Sequence, residues 1–181
     1  LILNDEKRRN ALSENMLDAL HEKIMNSAEN SKIRVVIISA KGPVFCAGHD
    51  LKEITQARDH KDDGIIYFQN LFDKCSEIMK GIVTNPKPVI AEVNGIATAA
   101  GCQLVASCDL AIASDASKFA TPGVNIGLFC STPMVALSRN VSNKHAMEML
   151  LTGDMVDSKR AEQIGLINFS CAEKVLSNEV N

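Results

Sequence analysis

The chain has 181 residues, 46% of them hydrophobic, so it can bury a sizeable core and is not expected to be disordered. Its formal net charge of −3, with six Phe, one Tyr and no Trp, argues against nucleic-acid binding, which needs positive charge and stacking surfaces. No apolar run reaches the length of about 20 residues that a membrane-spanning helix needs. We therefore expect a globular domain with neither a nucleic-acid partner nor a membrane span.

The first half of the chain alternates between helical and strand patterns. Ser13 is a suitable N-cap for a helix with apolar residues on one face through position 28. The continuous apolar run 35–40 predicts a strand covered on both faces, as in a sheet flanked by helices. Residues 41–51 form a loop with small residues near its tip, and residues 68–82 repeat apolar positions at helical spacing.

The second half is organised around residues 88–109, PVIAEVNGIATAAGCQLVASCD. A short strand from Val89 runs through small residues 97–101 into a helix predicted for 103–107, which brings backbone N–H groups close to a ligand. Further strands are predicted at 110–113, 118–120 and 166–167. The tail after residue 170 lacks strong periodicity. Strands alternating with helices predict one α/β unit built from right-handed crossovers.

The cysteines and histidines have no metal-site pattern. The six cysteines and four histidines are scattered, without a Cys-x-x-Cys pair or zinc spacing. Free cysteines are commonly buried small hydrophobic residues in a reducing compartment. We predict no metal site, no disulfide and no resident cofactor.

Four separated motifs resemble the enoyl-CoA hydratase/isomerase (crotonase) superfamily. They are RNAL at 9–12, FCAGHDLKE at 45–53, the segment 88–109, and LLTGD at 150–154. The resemblance covers almost the whole chain. It implies an α/β, crotonase-like fold of repeated ββα units, with residues 1–181 as a single core domain that is truncated at both ends and lacks the C-terminal helical region. It also implies a homotrimer or hexamer.

The resemblance further implies a coenzyme A thioester as substrate or ligand, with its adenine near Cys46 and Ala47. The backbone N–H groups of His49 and Ala100 are then expected to form an oxyanion hole at the thioester oxygen. Independently, two strand-end loops of small residues can present two donors to one oxygen, although either loop by itself is also explained as a tight turn. The residues predicted to bind the substrate are Arg9, Cys46, Ala47, Gly48, Asp50, Leu51, Gly101 and Ser131.

The same resemblance exposes two missing carboxylates. Hydratases of this family have glutamates at the positions of Gln103 and Gly123, which hold the water and move its proton. A glutamine amide can orient a water but cannot take its proton near neutral pH, and glycine offers no side chain. Each general acid or base typically contributes about 10²–10⁴-fold in rate. We therefore expect little hydratase activity.

Other side chains have competing interpretations. His49 has a suitable intrinsic pKa for proton transfer, but a structural or surface role for its ring competes with a catalytic one. Asp50 can cap the following helix while being part of the binding motif. Arg9 or Lys7 can meet coenzyme A phosphates, or they can simply belong to a solvated turn.

Two functional interpretations follow. The first is an acyl-CoA (enoyl-CoA) binding protein of fatty-acid metabolism with an oxyanion hole but without the two hydratase glutamates. The alternative is an active enoyl-CoA hydratase/isomerase-type lyase or isomerase that uses other residues. A dinucleotide or P-loop module is excluded because 95–101 lacks the glycine spacing and the following lysine. The resemblance favours the mitochondrial matrix, with the cytoplasm as the alternative, and no targeting peptide is visible.

Overall fold

A computed structural model describes all residues from Leu1 to Asn181. The strands are β1 (Ile2–Leu3), β2 (Val36–Ala40), β3 (Val44–Cys46), β4 (Val89–Val93), β5 (Ile96–Thr98), β6 (Leu110–Ser114), β7 (Lys118–Ala120), β8 (Val156–Asp157) and β9 (Phe169–Cys171). The α-helices are α1 (Glu14–Glu29), α2 (Leu51–Ala57), α3 (Ile65–Val83), α4 (Ala100–Ser107), α5 (Ser131–Asn140), α6 (Asn143–Thr152), α7 (Ser158–Gln163) and α8 (Glu173–Val180). Short 3₁₀ turns lie at Glu6–Arg8 and Pro122–Ile126.

The strands form two sheets. The larger sheet has the order β1-β2-β4-β6-β9 and is parallel throughout. The smaller sheet has the order β3-β5-β7-β8, with only β8 antiparallel to its neighbour. Each consecutive strand pair, β2 with β3, β4 with β5 and β6 with β7, gives its first strand to the larger sheet and its second to the smaller one. The predicted α/β fold of repeated ββα units is therefore confirmed.

The core lies between the sheets and the helices. One cluster of 37 buried hydrophobic side chains includes both strands of the central pair, β4 and β5, and the apolar faces of α1 and α3. A second cluster lies on the other side of the larger sheet, where Leu176 and Val180 of α8 pack on Ile90 and Ile112. The burial of β4 on both sides explains why its first three residues, 89–91, are all apolar.

Two expectations for the C-terminal part were wrong. The strand lies at Phe169–Cys171 beside β6, not at 166–167, because Leu166 and Ile167 belong to the main hydrophobic core. The tail forms α8, although no helix was predicted there. Only Leu176 and Val180 of this helix are buried, so its apolar face is too narrow to stand out in the sequence.

Helices α1 and α2 each begin at a residue whose side chain caps the helix. The Ser13 hydroxyl accepts a hydrogen bond from the Met16 N–H at 3.3 Å, which confirms the predicted N-cap of α1. The Asp50 carboxylate accepts from the N–H groups of Lys52 and Glu53 and so caps α2. Both helices therefore begin where a short polar side chain satisfies otherwise free N–H groups.

Asn10 anchors the RNAL segment to the strand that leads into the candidate site. Its side chain is fully buried, donates to the carbonyl oxygens of Lys41 at 2.9 Å and Val44 at 2.7 Å, and accepts from the Asp5 N–H at 2.7 Å. Its backbone is left-handed, with φ of 50°, a conformation that asparagine tolerates better than most residues. This side chain therefore fixes 9–12 against the start of β3.

Asn10→Ala should lower the free energy of unfolding by about 2–4 kcal/mol, because three partly buried hydrogen bonds to backbone groups are lost. Urea unfolding followed by circular dichroism measures this change. Asn26→Ala on the exposed face of α1 is the control and should change stability by less than about 0.5 kcal/mol. Equal effects of the two substitutions would contradict the anchoring role.

Candidate functional site

Two strand-end loops meet at the edge of the smaller sheet. One follows β3 and contains Gly48, and the other follows β5 and leads into α4. A Cβ atom at Gly48 would lie 2.9 Å from the Ala99 Cβ and 3.4 Å from the Ala100 nitrogen, and Gly48 has φ of 92°. Both the contact and the backbone conformation require glycine, so Gly48 lets the two loops approach each other.

Hydrogen bonds from separate motifs hold the first loop in place. The Ala47 N–H donates to the Arg9 carbonyl at 3.2 Å, and the Leu12 N–H donates to the Gly48 carbonyl at 2.7 Å. On the other side, the Thr98 hydroxyl donates to the Ala47 carbonyl at 3.1 Å. The structure thus brings together three sequence motifs at one point.

Two backbone N–H groups at this junction are not engaged. Helix α4 begins at Ala100, earlier than the predicted start at Gln103, so the Ala100 N–H is at the helix N-terminus and has no carbonyl within the helix. Neither the His49 N–H nor the Ala100 N–H donates to another backbone group of the chain. Ala99, just before α4, has φ of 50°, which is unusual for a residue with a side chain and sets the direction of the first turn.

Gly101 lets α4 pack directly on the end of β3. A Cβ atom at this position would lie 2.2 Å from the carbonyl oxygen of Cys46. No real contact is that short, so this turn of α4 can approach β3 only without a side chain. The position of the Ala100 N–H therefore depends on Gly101.

The His49 ring is enclosed beside this junction. Both ring nitrogens are shielded from solvent and have no hydrogen-bond partner. The ring meets Phe72 of α3 edge to face, with centroids 5.6 Å apart. Burial lowers the pKa of His49 below its usual value, and the nearby Leu12 backbone offsets only part of this effect. The imidazole is therefore held in its neutral form.

A cavity of about 560 Å³ lies among α3, α4 and α5. Most of its wall is apolar, with Phe72, Cys75, Met79, Val83, Ala106, Cys108, Val135 and Ala136 among the lining residues. Gln103 also lines it, one turn after Ala100. This side chain is 6% exposed and its Oε1 atom is shielded and without a hydrogen-bond partner. The wall contains one carboxylate, Asp109, which accepts from the Val89 N–H at 2.8 Å.

Gly123 lies where backbone and sulfur atoms fill the adjacent space. A Cβ atom there would be 2.4 Å from the Leu128 carbonyl oxygen and 2.7 Å from the Cys130 Sγ. Cys130 is in turn close to Cys102 of α4: burial raises the pKa of Cys102 to about 12, and Cys130 adds to that effect. The segment around Gly123 is therefore next to α4, but it has no room for a side chain.

The other residues predicted to bind substrate differ in exposure. Arg9, Leu51 and Ser131 are exposed, whereas Cys46 is fully buried and burial raises its thiol pKa to about 12. Asp50 is 7% exposed and, besides capping α2, contacts the Arg8 guanidinium at 3.4 Å. A direct ligand contact by any of these side chains stays a prediction.

Sequence reasoning did not identify the cavity walls. Phe72, Cys75 and Met79 were assigned only to the apolar face of a helix, and Thr132, Val135 and Ala136 were not assigned at all. Helical periodicity shows which face is apolar, but it cannot distinguish residues that fill the core from residues that line a void.

Histidines and acidic or cysteine side chains form no cluster that could hold a metal ion, and none of the helices has the length and apolar character needed to cross a bilayer.

Comparison with known proteins identifies the family. The family described as Enoyl-CoA hydratase/isomerase matches residues 1–181. The chain belongs to this family, the crotonase superfamily, and is enoyl-CoA hydratase-like.

Among its relatives, the mitochondrial enoyl-CoA hydratase domain-containing protein 3 of Rattus norvegicus is 53% identical over 179 residues, which cover 99% of this chain and 58% of the rat protein. The crystal structure of human enoyl-CoA hydratase domain-containing protein 3 superposes with a TM-score of 0.92 at 51% identity, covering 99% of this chain and 69% of that one. The mitochondrial enoyl-CoA hydratase of Pongo abelii is 32% identical over 97% of this chain and 62% of its own length. The chain thus spans about three fifths of these curated relatives.

Gly101→Ala should lower the free energy of unfolding by about 1–3 kcal/mol, because the methyl group must displace either α4 or the Cys46 carbonyl. Gly81→Ala in α3 is a matched control, since its new methyl group would meet side chains alone, the flexible end of Met25 at 2.3 Å and the Ile24 Cγ2 atom at 3.2 Å, and no backbone atom. That control should be neutral or stabilising by up to about 1 kcal/mol through helix propensity. Thermal and urea unfolding measure both, and a neutral Gly101→Ala would contradict the close packing.

The buried His49 should make stability depend on pH. The pKa of His49 in the folded protein lies below the ordinary value of 6.5. The neutral ring therefore contributes fully to the free energy of unfolding above pH 6.5, and this contribution is lost as the pH falls towards the folded pKa. We expect the free energy of unfolding to decline between about pH 7.5 and 5.5, and to decline less in His49→Phe. The exposed His60, replaced in the same way, provides the control. An unchanged slope in His49→Phe would show that His49 is not the group responsible.

Proposed function

We propose that this chain binds acyl-CoA thioesters in fatty-acid metabolism but is a poor hydratase. The observation that carries the proposal is that the loops with the two unengaged N–H groups of His49 and Ala100 meet near a largely apolar cavity, whose one carboxylate, Asp109, accepts a hydrogen bond from the backbone. The N–H groups would receive the thioester oxygen and the cavity would receive acyl carbons. Membership in the enoyl-CoA hydratase/isomerase family supports the choice of a coenzyme A thioester.

The donor pair is suited to a carbonyl oxygen on which negative charge develops. Backbone N–H groups are fixed by the fold, and the Ala100 N–H lies at the positive end of α4. The contact between Gly48 and the first turn of α4 keeps the two donors in neighbouring loops. Such an arrangement polarises a thioester without requiring an ionisable side chain.

The site lacks what hydration also requires. Gln103 supplies an amide that cannot accept a proton from water near neutral pH, and Gly123 has no room for a carboxylate. Asp109 is separated from Gln103 by most of the remaining length of α4 and is hydrogen-bonded to the backbone. Water activation therefore has no general base among the side chains that line the cavity.

His49 provides the specific observation in favour of an enzymatic alternative. Its neutral imidazole has two unpartnered nitrogens and touches Phe72, which lines the cavity. A neutral imidazole is a competent base, so an isomerase-type or hydratase-type reaction through His49 is the second candidate function. The same experiment distinguishes it from binding without turnover.

The proposal also covers the oligomeric state of the protein and its location in the cell. The exposed apolar side chains of Ile126, Leu128 and Phe129 support association into a homotrimer or hexamer, since isolated proteins rarely expose several large apolar side chains in one short segment. The mitochondrial relatives support a location in the mitochondrial matrix.

The test measures binding and turnover in one preparation. Isothermal titration with butyryl-CoA should show binding, and S-butyl-CoA, a thioether that lacks the carbonyl oxygen, should bind roughly 10–30-fold more weakly because two hydrogen bonds are lost. Hydration of crotonyl-CoA should remain near the rate without protein. Gln103→Glu should raise that rate, and the Gln103→Glu, Gly123→Glu double variant tests both positions, although its second glutamate must displace Leu128 or Cys130.

Three results would contradict the proposal. Equal affinities for butyryl-CoA and S-butyl-CoA would show that the donor pair does not bind the thioester oxygen. Failure of both to bind would exclude acyl-CoA as the ligand. Hydration of crotonyl-CoA at the rate of an ordinary hydratase would contradict binding without turnover. Loss of that activity in His49→Gln would assign the proton transfer to His49.

A further inference from the structure

The cavity among α3, α4 and α5 has more positive than negative charge on its wall. Lys80 and Arg139 line it, and Asp109 is the one carboxylate among its lining residues. Asp109 already accepts a hydrogen bond from the Val89 N–H at 2.8 Å, whereas neither cation forms an ion pair within the chain. In a chain with a formal net charge of −3, two cations without a carboxylate partner on one cavity wall indicate a site for an anionic group.

The α3 cation lies at the end of the cavity away from the candidate thioester site. Phe72 meets the His49 ring with centroids 5.6 Å apart, so the beginning of the α3 wall is beside the donor pair. Lys80 follows Phe72 by eight residues, about 12 Å along the helix axis. Helix α4 ends on this far side as well, because the Asp109 N–H, shortly after α4, donates to the Val89 carbonyl, shortly after α3, at 2.9 Å.

The α5 cation lies at the same far end. Where α4 and α5 begin, Cys102 is close to Cys130. Where they end, the Asn140 amide donates to the Ala106 carbonyl at 2.6 Å. Arg139 directly precedes Asn140, so it is beside the last turn of α4. The two cations on the wall therefore come from different helices and belong to one end of the cavity.

The wall between the two ends is mostly apolar. Met79, Val135 and Ala136 can pack against methylene groups but offer no partner to a polar group. An extended chain of about eight carbons, with bonds of about 1.5 Å, spans about 10 Å, and the long side chains of lysine and arginine can cover the remaining distance. An acyl chain whose thioester oxygen is held at the donor pair would therefore bring its last carbon to the cations.

We propose that the cavity selects acyl-CoA thioesters whose chain ends in a second carboxylate, which binds between Lys80 and Arg139. The preferred ligand is then the single thioester of a dicarboxylic acid of about eight carbons. This inference rests on acyl-CoA binding as the function. A guanidinium group can hold a carboxylate through two parallel hydrogen bonds, and an ammonium group adds a compact positive charge. A terminal methyl group would leave both cations without a partner.

The experiment compares two ligands that differ only at the last carbon. Octanedioyl-CoA and octanoyl-CoA have the same length and the same coenzyme A phosphates, so the ratio of their affinities reports the terminal group. Isothermal titration of the purified protein at low ionic strength should show octanedioyl-CoA binding about 5–10-fold more tightly. This ratio should fall at high ionic strength, because salt screens the interaction between charges.

Variants of the two cations test where the carboxylate binds. Lys80→Gln and Arg139→Gln should each lower the ratio. The double variant should reverse it, so that octanoyl-CoA binds more tightly, because a carboxylate would then lose water without gaining an ionic partner. Lys144→Gln, the same loss of charge on the exposed side of α6, is the control and should keep the native ratio. Circular dichroism confirms that each variant is folded.

The outcomes separate this inference from the proposed function. Native protein that binds octanoyl-CoA as tightly as octanedioyl-CoA, or more tightly, would overturn the carboxylate preference while acyl-CoA binding would stand. A preference that persists in the double variant, or that is lost equally in Lys144→Gln, would overturn the assignment to Lys80 and Arg139. Failure of both ligands to bind would overturn the proposed function and, with it, the inference.

Discussion

The site depends on the close approach of backbone to backbone at the start of α4. Gly101 brings this helix onto the Cys46 carbonyl, and Gly48 lets the β3 loop pass beside Ala99 and Ala100. At both positions a single methyl group would be too close to neighbouring atoms. The approach of the loop after β3 to the first turn of α4 therefore depends on packing that only glycine permits, and closely packed protein interiors can absorb little change there.

The remaining parts of the molecule hold this junction rigid. The parallel strands β3 and β5 end at the same edge of the smaller sheet, so the loops that follow them come together there. Asn10 then fastens the start of β3, and Thr98 fastens the loop after β3, through hydrogen bonds to the backbone. These contacts are satisfied within the protein, whereas the N–H groups of His49 and Ala100 donate to no other backbone group.

The chemistry that the family associates with this fold is only partly present. A main-chain donor pair survives any substitution that preserves the backbone, whereas a general base is lost with one side chain. At Gly123 the carbonyl of Leu128 and the sulfur of Cys130 occupy the space that any side chain would need. Binding and polarisation can therefore persist in a protein that has lost proton transfer, which is the physical basis of the proposed function.

The amino-acid sequence by itself determined the class of fold and the cap at Ser13, because periodicity and capping chemistry are local properties. The tertiary structure decided the rest. It placed the last strand at Phe169–Cys171, formed α8 from a weakly patterned tail, and turned Phe72 and Val135 from apolar helix residues into cavity walls. It also left the Gln103 acceptor buried without a partner. These features depend on which distant segments pack against each other, and no local pattern contains that information.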